Sequence, residues 1–160
     1  MMNESPAQEG FLQIGEAAVR AKLTQRTLRY YEEKGLLPPP TRMEGGFRLY
    51  SPDDMERIER IKEMKELLGF SLADIKEMVE AEDVKTQLRA EWRKDADVGE
   101  KAAKIRKARE VTIQQIALID QKMAQMAGMR NQLAERLEKY ETWLVNNAPS
   151  AMGNPGTAAG

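Results

Sequence analysis

Leu23-Thr24-Gln25-Arg26-Thr27-Leu28-Arg29-Tyr30-Tyr31-Glu32-Glu33-Lys34-Gly35-Leu36-Leu37 reads as one short helix with two unlike faces. Thr24 is positioned to cap it by accepting a hydrogen bond from a first-turn amide, and Thr27 stands at the third position of a capping box without the usual acid. Gly35 supplies the left-handed residue that ends a helix, with Leu36 and Leu37 as its apolar seal. The helix is therefore expected from about Gln25 to Lys34. Leu28 and Tyr31, three apart, make the inward stripe, whereas Gln25, Arg26, Arg29 and Tyr30 project elsewhere. Two guanidinium forks and a phenol on one face suit phosphate oxygens or the O6 and N7 edge of guanine.

The flanking segments give that face a setting. Upstream, Leu12 to Leu23 predicts a short helix with apolar Ile14, Ala17 and Ala18 and a break before Thr24. Two short helices across a tight turn form a helix-turn-helix, although Ala21-Lys22 lacks the glycine often found there. Downstream, Pro38-Pro39-Pro40 stops the helix, and Thr41 to Tyr50 predicts a hairpin turning at Gly45-Gly46, a wing.

The run Thr24-x-x-Thr27-Leu28-Arg29-Tyr30-Tyr31-Glu32-x-x-Gly35-Leu36, followed by Arg42-x-x-x-Gly46-Phe47-Arg48-x-Tyr50, resembles the amino-terminal domain of MerR-family transcription regulators. The resemblance continues through Ile58-x-x-Ile61-Lys62 and Leu68-Gly69-Phe70-Ser71-Leu72-x-x-Ile75-Lys76, so it spans roughly residues 11 to 80. It implies a mainly α fold: a winged helix-turn-helix DNA-binding domain with a small β-hairpin wing, then a long C-terminal coiled-coil dimerisation helix. In that setting Thr24, Gln25, Arg26, Thr27, Arg29 and Tyr30 are the expected DNA contacts of the reading helix. Arg42 and Arg48 flank the wing turn and are expected on phosphate or in the narrow groove. Tyr50 is open between core and DNA, and the resemblance implies a phosphate contact by Lys62.

Composition bounds the alternatives. A chain of 160 residues with 41% hydrophobic and 32% charged residues holds one compact domain plus an extended helical element. Its net charge of −1 is uninformative, but Arg20 to Tyr50 holds seven basic residues against three acidic. With neither cysteine nor histidine, thiolate and imidazole metal sites, disulfides and cysteine or histidine catalysis are excluded. No metal, cofactor or enzymatic centre is expected. No apolar run approaches the roughly 20 residues that cross a bilayer, so no membrane partner is expected and the chain reads as cytoplasmic.

The rest of the chain organises around this domain. Residues 1–10 read as a disordered tail. Ser51-Pro52-Asp53-Asp54 opens one helix, and Ser71 with Asp74 opens a second beyond Gly69. Residues 81–100 form a charged connector containing Trp92, helical around Val84 to Trp92 and broken at Asp95 to Gly99. From residue 101 to 145 the apolar steps alternate three and four: Ile105, Thr112, Ile116, Ile119, Met123, Met126, Leu133, Leu137, Tyr140 and Leu144, with Arg109 and Arg130 interrupting the seam. That period predicts a coiled coil about 65 Å long, which a second copy must cover. Residues 146–160 read as a second disordered tail.

A two-fold dimer with two reading helices implies a homodimer on an inverted repeat in double-stranded promoter DNA. The resemblance further implies promoter bending and untwisting that brings RNA polymerase elements into register. A ligand-independent repressor or architectural protein is the alternative. No separate effector domain is expected after the coiled coil. A small-molecule effector, if one exists, is expected where Trp92 meets Met123, Met126 and Met129, although the same methionines also suit the dimer seam.

Overall fold

The computed structural model describes residues 10–39, 41–42 and 46–149. The expected tail over 1–9, the wing tip at Gly45 and most of the expected C-terminal tail lie outside the described residues. Eight elements follow in order: β1 (Leu12–Gln13), α1 (Ile14–Ala21), α2 (Gln25–Glu33), β2 (Thr41–Arg42), β3 (Arg48–Tyr50), α3 (Pro52–Glu66), α4 (Leu72–Ala90) and α5 (Val98–Asn147). The chain divides between Gln115 and Ile116 into two compact units.

Local chemistry sets the helix ends of the first unit. Thr24 Oγ1 accepts from the Thr27 amide at 3.1 Å, and Gly35 adopts φ +73 just past α2. Ser51 and Asp54 form a reciprocal capping box, with Pro52 as the first helical residue of α3. Ser71 and Asp74 repeat the device at α4. These caps satisfy amides that a helix start leaves unpaired.

The core sits behind α2. Leu28, Tyr31, Leu36 and Leu37 pack with Ala17, Ala18 and Ala21 of α1, Ile58 and Ile61 of α3, and Ile75 and Val79 of α4. The three alanines are small enough to bring α1 close to its neighbours. Each fully buried leucine or isoleucine contributes about 1.5–3 kcal/mol. The stripe expected from Leu28 and Tyr31 is thus the buried face of α2.

Four expectations are corrected. Leu12–Gln13 is a strand, not the start of a helix: it pairs antiparallel with β3 in the register Leu12 to Tyr50 and Gln13 to Leu49. The hairpin is therefore part of a three-stranded sheet ordered β1-β3-β2, in which β1 satisfies backbone groups on the free edge of β3. Second, α4 continues through residue 80 to Ala90, because Ala81 is buried and Val84 and Leu88 are half-buried along it. Third, the break before α5 spans 91–97, and α5 begins at Val98. Fourth, α5 runs through Asn146 and Asn147, which had been placed in the tail.

The second unit holds the remainder of α5. Among the described residues, no helix is long and apolar enough to cross a membrane.

Candidate nucleic-acid interface

The face of α2 opposite the core is built from exposed polar side chains. Gln25, Arg26, Arg29 and Tyr30 are all exposed, and Tyr30 carries the Lys34 ammonium 5.6 Å above its ring centroid. That contact places a cation beside the phenol at the helix C-terminus, where positive charge also suits the dipole. At the other end, the Thr24 and Thr27 hydroxyls lie 2.8 Å apart. The capping-box acid is absent, and the threonine pair occupies its place.

The wing is tied to α2 through one carboxylate. Glu32 Oε1 accepts a hydrogen bond from the Tyr50 hydroxyl, while Arg48 Nη1 lies 2.7 Å from Glu32 Oε2 as an ion pair outside hydrogen-bond alignment. Arg48 and Tyr50 are two apart on β3, so they share one side of the strand. Tyr50 is 2% exposed. Burial and its bond to Glu32 raise its pKa above the ordinary phenol value. Tyr50 is therefore a buried link between wing strand and reading helix, the core side of the two readings its sequence leaves open. Arg48 keeps part of its guanidinium at the surface, with 29% of the side chain exposed.

Lys62 Nζ donates to the Ala21 carbonyl at 2.6 Å, at the last residue of α1, and 14% of the side chain is exposed. The bond fastens α3 to the turn of the helix-turn-helix and uses one of the ammonium's three donors. Sequence reasoning missed Glu32 and Arg57 altogether. Arg57 Nε donates to the Leu36 carbonyl at 2.6 Å and its other nitrogens pair with Asp83, joining the end of α2 to α4. The signal available for Glu32 was the Arg48-x-Tyr50 spacing, which demands one acceptor for two donors on the same face.

Along α5 two stripes run side by side. Val111 and Gln115 are buried, and Gln115 Nε2 donates to the Met78 carbonyl and Glu82 of α4 while Lys85 donates to Gln115 Oε1. Burial pushes the Glu82 carboxyl up, but the bonds from Lys85 and Gln115 outweigh it and hold its pKa below the usual value. The expected seam lies one residue further round. Ile105, Ile116, Ile119, Met123, Met126, Leu133, Leu137, Tyr140 and Leu144 are all exposed in this single chain. Thr112 is half-buried, with its hydroxyl turned back to the Ala108 carbonyl at 2.8 Å.

Trp92 lies in a cavity of about 400 Å³ together with Leu88, Ile105 and Ala108. Met123, Met126 and Met129 belong to the second unit, where they are exposed along α5. The lining of this cavity comes from α4, the residues just after it, and the first turns of α5.

Residues 12–82 match the model of the MerR HTH family regulatory protein. The HTH-type transcriptional regulator YfmP of Bacillus subtilis is 37% identical over 131 residues, covering 82% of this chain and 94% of that protein. The HTH-type transcriptional regulator ZntR of Escherichia coli is 44% identical over 66 residues, 41% of this chain and 46% of that protein. Among solved structures, a MerR family transcriptional regulator from Listeria monocytogenes has a TM-score of 0.56 at 23% identity, covering 84% of this chain and 89% of that one. HiNmlR, a MerR family regulator lacking the sensor domain and bound to promoter DNA, has a TM-score of 0.51 at 22% identity, covering 84% of this chain and 94% of that one. These two likenesses establish the fold. With a helix-turn-helix and wing in place and a relative aligned over most of both lengths, the chain belongs to the MerR family of DNA-binding helix-turn-helix transcriptional regulators.

Proposed function

We propose that a homodimer of this chain binds an inverted-repeat promoter operator with α2 in the major groove and the wing against the flanking backbone. Bound there, it controls transcription by bending and untwisting the DNA so that RNA polymerase engages its two promoter elements. The observation that carries this reading is α2 itself: Leu28 and Tyr31 are locked in the core while Gln25, Arg26, Arg29 and Tyr30 stand together in solvent. Arg26 and Arg29 supply forks for phosphate or guanine, Gln25 an amide for base edges, and Thr24 and Thr27 hydroxyls at the entry of the helix. Arg48, and Arg42 opposite it in the β2–β3 register, supply wing contacts. Distorting a site of this size costs about 1–6 kcal/mol, which reading helices and wings offset only by acting together. Glu32 is the tie that lets them do so.

The dimer is supported by the seam of α5, whose Ile116, Ile119, Met123, Met126, Leu133, Leu137 and Leu144 are exposed in the single chain. Charge supports an antiparallel arrangement. Lys101, Lys104, Arg106, Lys107 and Arg109 against Glu100 and Glu110 give residues 100–110 a net charge of 5 − 2 = +3, and Glu135, Glu138 and Glu141 against Arg136 and Lys139 give residues 135–141 a net charge of 3 − 2 = +1 in favour of the acids, that is −1. Antiparallel packing brings opposite signs together.

Genomic fragments captured by the purified protein, footprinted and then rebound by Arg29→Ala, test the reading. We expect inverted repeats inside over-long promoter spacers. Arg29→Ala should lose at least about tenfold in affinity and lower the salt slope by about one, with helicity and dimer mass unchanged. Unchanged affinity would remove α2 as the reading helix; repeats outside promoters would remove the distortion mechanism.

A further inference from the structure

The cavity holding Trp92 is chemically two-sided. Its floor is apolar, formed by Leu88, Trp92, Ile105 and Ala108, and Trp92 and Ile105 remain 42% and 58% exposed. Its rim is cationic, formed by Lys85, Arg89 and Lys104, with no acid among the lining residues. The three cations are not equivalent. Lys85 is paired with Glu82 at 2.5 Å and with Gln115 at 2.8 Å. Lys104 is held by the Glu91 carbonyl and by Glu100. The Lys104 bond in turn keeps the Glu100 carboxyl below its usual pKa, so that pair stays ionised. The Arg89 guanidinium has neither a hydrogen bond nor an ion pair among the described residues.

We propose that this cavity binds a small amphipathic monocarboxylate, its aromatic or short alkyl body against Trp92, Leu88 and Ile105 and its carboxylate on the Arg89 fork. The volume falls within the range of about 300–1,000 Å³ typical of small-molecule sites. The apolar floor selects against a bare inorganic anion, and the rim selects against a cation. Glu82 pairs with Lys85, and Glu100 is shared between Lys104 and Arg93, so Arg89 is the rim cation whose side chain has no acidic partner among the described residues. A planar guanidinium also pairs with a carboxylate through two parallel hydrogen bonds. Ile105 belongs both to this floor and to the seam of α5, so an occupant sits beside the proposed dimer contact. The site lies outside the DNA-facing residues, and its occupancy is read without DNA.

The chain has two tryptophans, so Trp143→Phe leaves Trp92 as the only indole reporter in the full-length protein. Its emission and binding heat would be followed during titration with 4-phenylbutyrate, 4-phenylbutan-1-ol and 4-phenylbutylamine, which share one body and differ in head-group charge. The carboxylate is expected to saturate with a Kd below about 1 mM. The alcohol should bind at least about tenfold more weakly, since it lacks the charge-assisted bonds. The amine should bind more weakly still. Arg89→Ala should bring the carboxylate down to the level of the alcohol, and Arg89→Lys should fall between. Equal affinity for acid and alcohol in the Arg89-containing protein would overturn the proposal without reliance on any Arg89 variant. Absence of saturable carboxylate binding would overturn it too, and acrylamide quenching of Trp92 would then tell whether a second copy already covers the floor.

Discussion

Glu32 receives a phenol on one oxygen and a guanidinium on the other, and neither donor lies near it in sequence. Removing the phenol tests how much the tie contributes. Tyr50→Phe should cost about 1.5–3 kcal/mol, the value of a hydrogen bond to a charged acceptor, in urea unfolding near pH 8. The pH dependence has a definite sign. Burial and then the Glu32 bond raise the Tyr50 pKa in the folded protein, so the folded state holds its proton more tightly than the unfolded chain does. The contribution is fully present below the unfolded value of about 10 and is lost as pH rises from there toward the raised folded value. The gap between the native protein and Tyr50→Phe should therefore narrow between pH 8 and pH 11, and a constant gap would detach the phenol from this titration. How such residues were read follows from how local their partners are. The Arg48-x-Tyr50 spacing was visible, but its acceptor lies eighteen positions from Tyr50 on another element. Lys62 gave no sign of its bond to the Ala21 carbonyl, which is forty-one positions away.

At the scale of the element, helix ends were legible wherever the signal was a side chain within one turn. Thr24, Ser51 and Ser71 all cap where their sequences placed them, and Gly35 ends α2 at positive φ. The turn of the helix-turn-helix obeyed the geometry but not the composition. Lys22 itself adopts the left-handed conformation, φ 55 and ψ 41, and its amide bonds back to the end of α1. An L side chain in that region costs about 1–2 kcal/mol, part of which glycine returns as unfolded-state entropy. Lys22→Gly should thus raise the urea midpoint by the equivalent of about 0.5–1 kcal/mol at unchanged m-value. A lower midpoint would mean that the lysine side chain makes a contact outweighing the strain. Elements defined by distant pairing were hidden. β1 is two residues long and exists because Tyr50 and Leu49 need edge partners, and the later turns of α4 carry enough charge to look like linker, although Ala81 is buried and Glu82 and Lys85 bond to Gln115 of α5.

For the molecule as a whole, the proposed homodimer allows two directions for the second copy along the seam of α5. Sequence periodicity located the exposed stripe, because a repeat of three and four survives over the whole helix. It missed the Val111 and Gln115 stripe, which is one residue away and owes its burial to α4. Ile105 and Leu144 bound the seam and lie roughly 58 Å apart along α5 at 1.5 Å per residue. A disulfide needs Cα atoms within about 7 Å, so the two residues report orientation without ambiguity. The chain has no cysteine of its own, and each introduced thiol is the only one present. If the basic start of α5 packs on the acidic end of its partner, Ile105→Cys and Leu144→Cys proteins should each resist self-crosslinking under mild oxidation. Mixed and re-equilibrated, they should form the Ile105–Leu144 heterodisulfide. Parallel packing would give the reverse, self-disulfides from each protein alone and none between them. The antiparallel outcome would put the ends of the two α5 helices beside the opposite protomer's Ile105, and so beside its Arg89 and Trp92. Carboxylate binding and dimer contact would then share one surface, and strengthening either should alter the other.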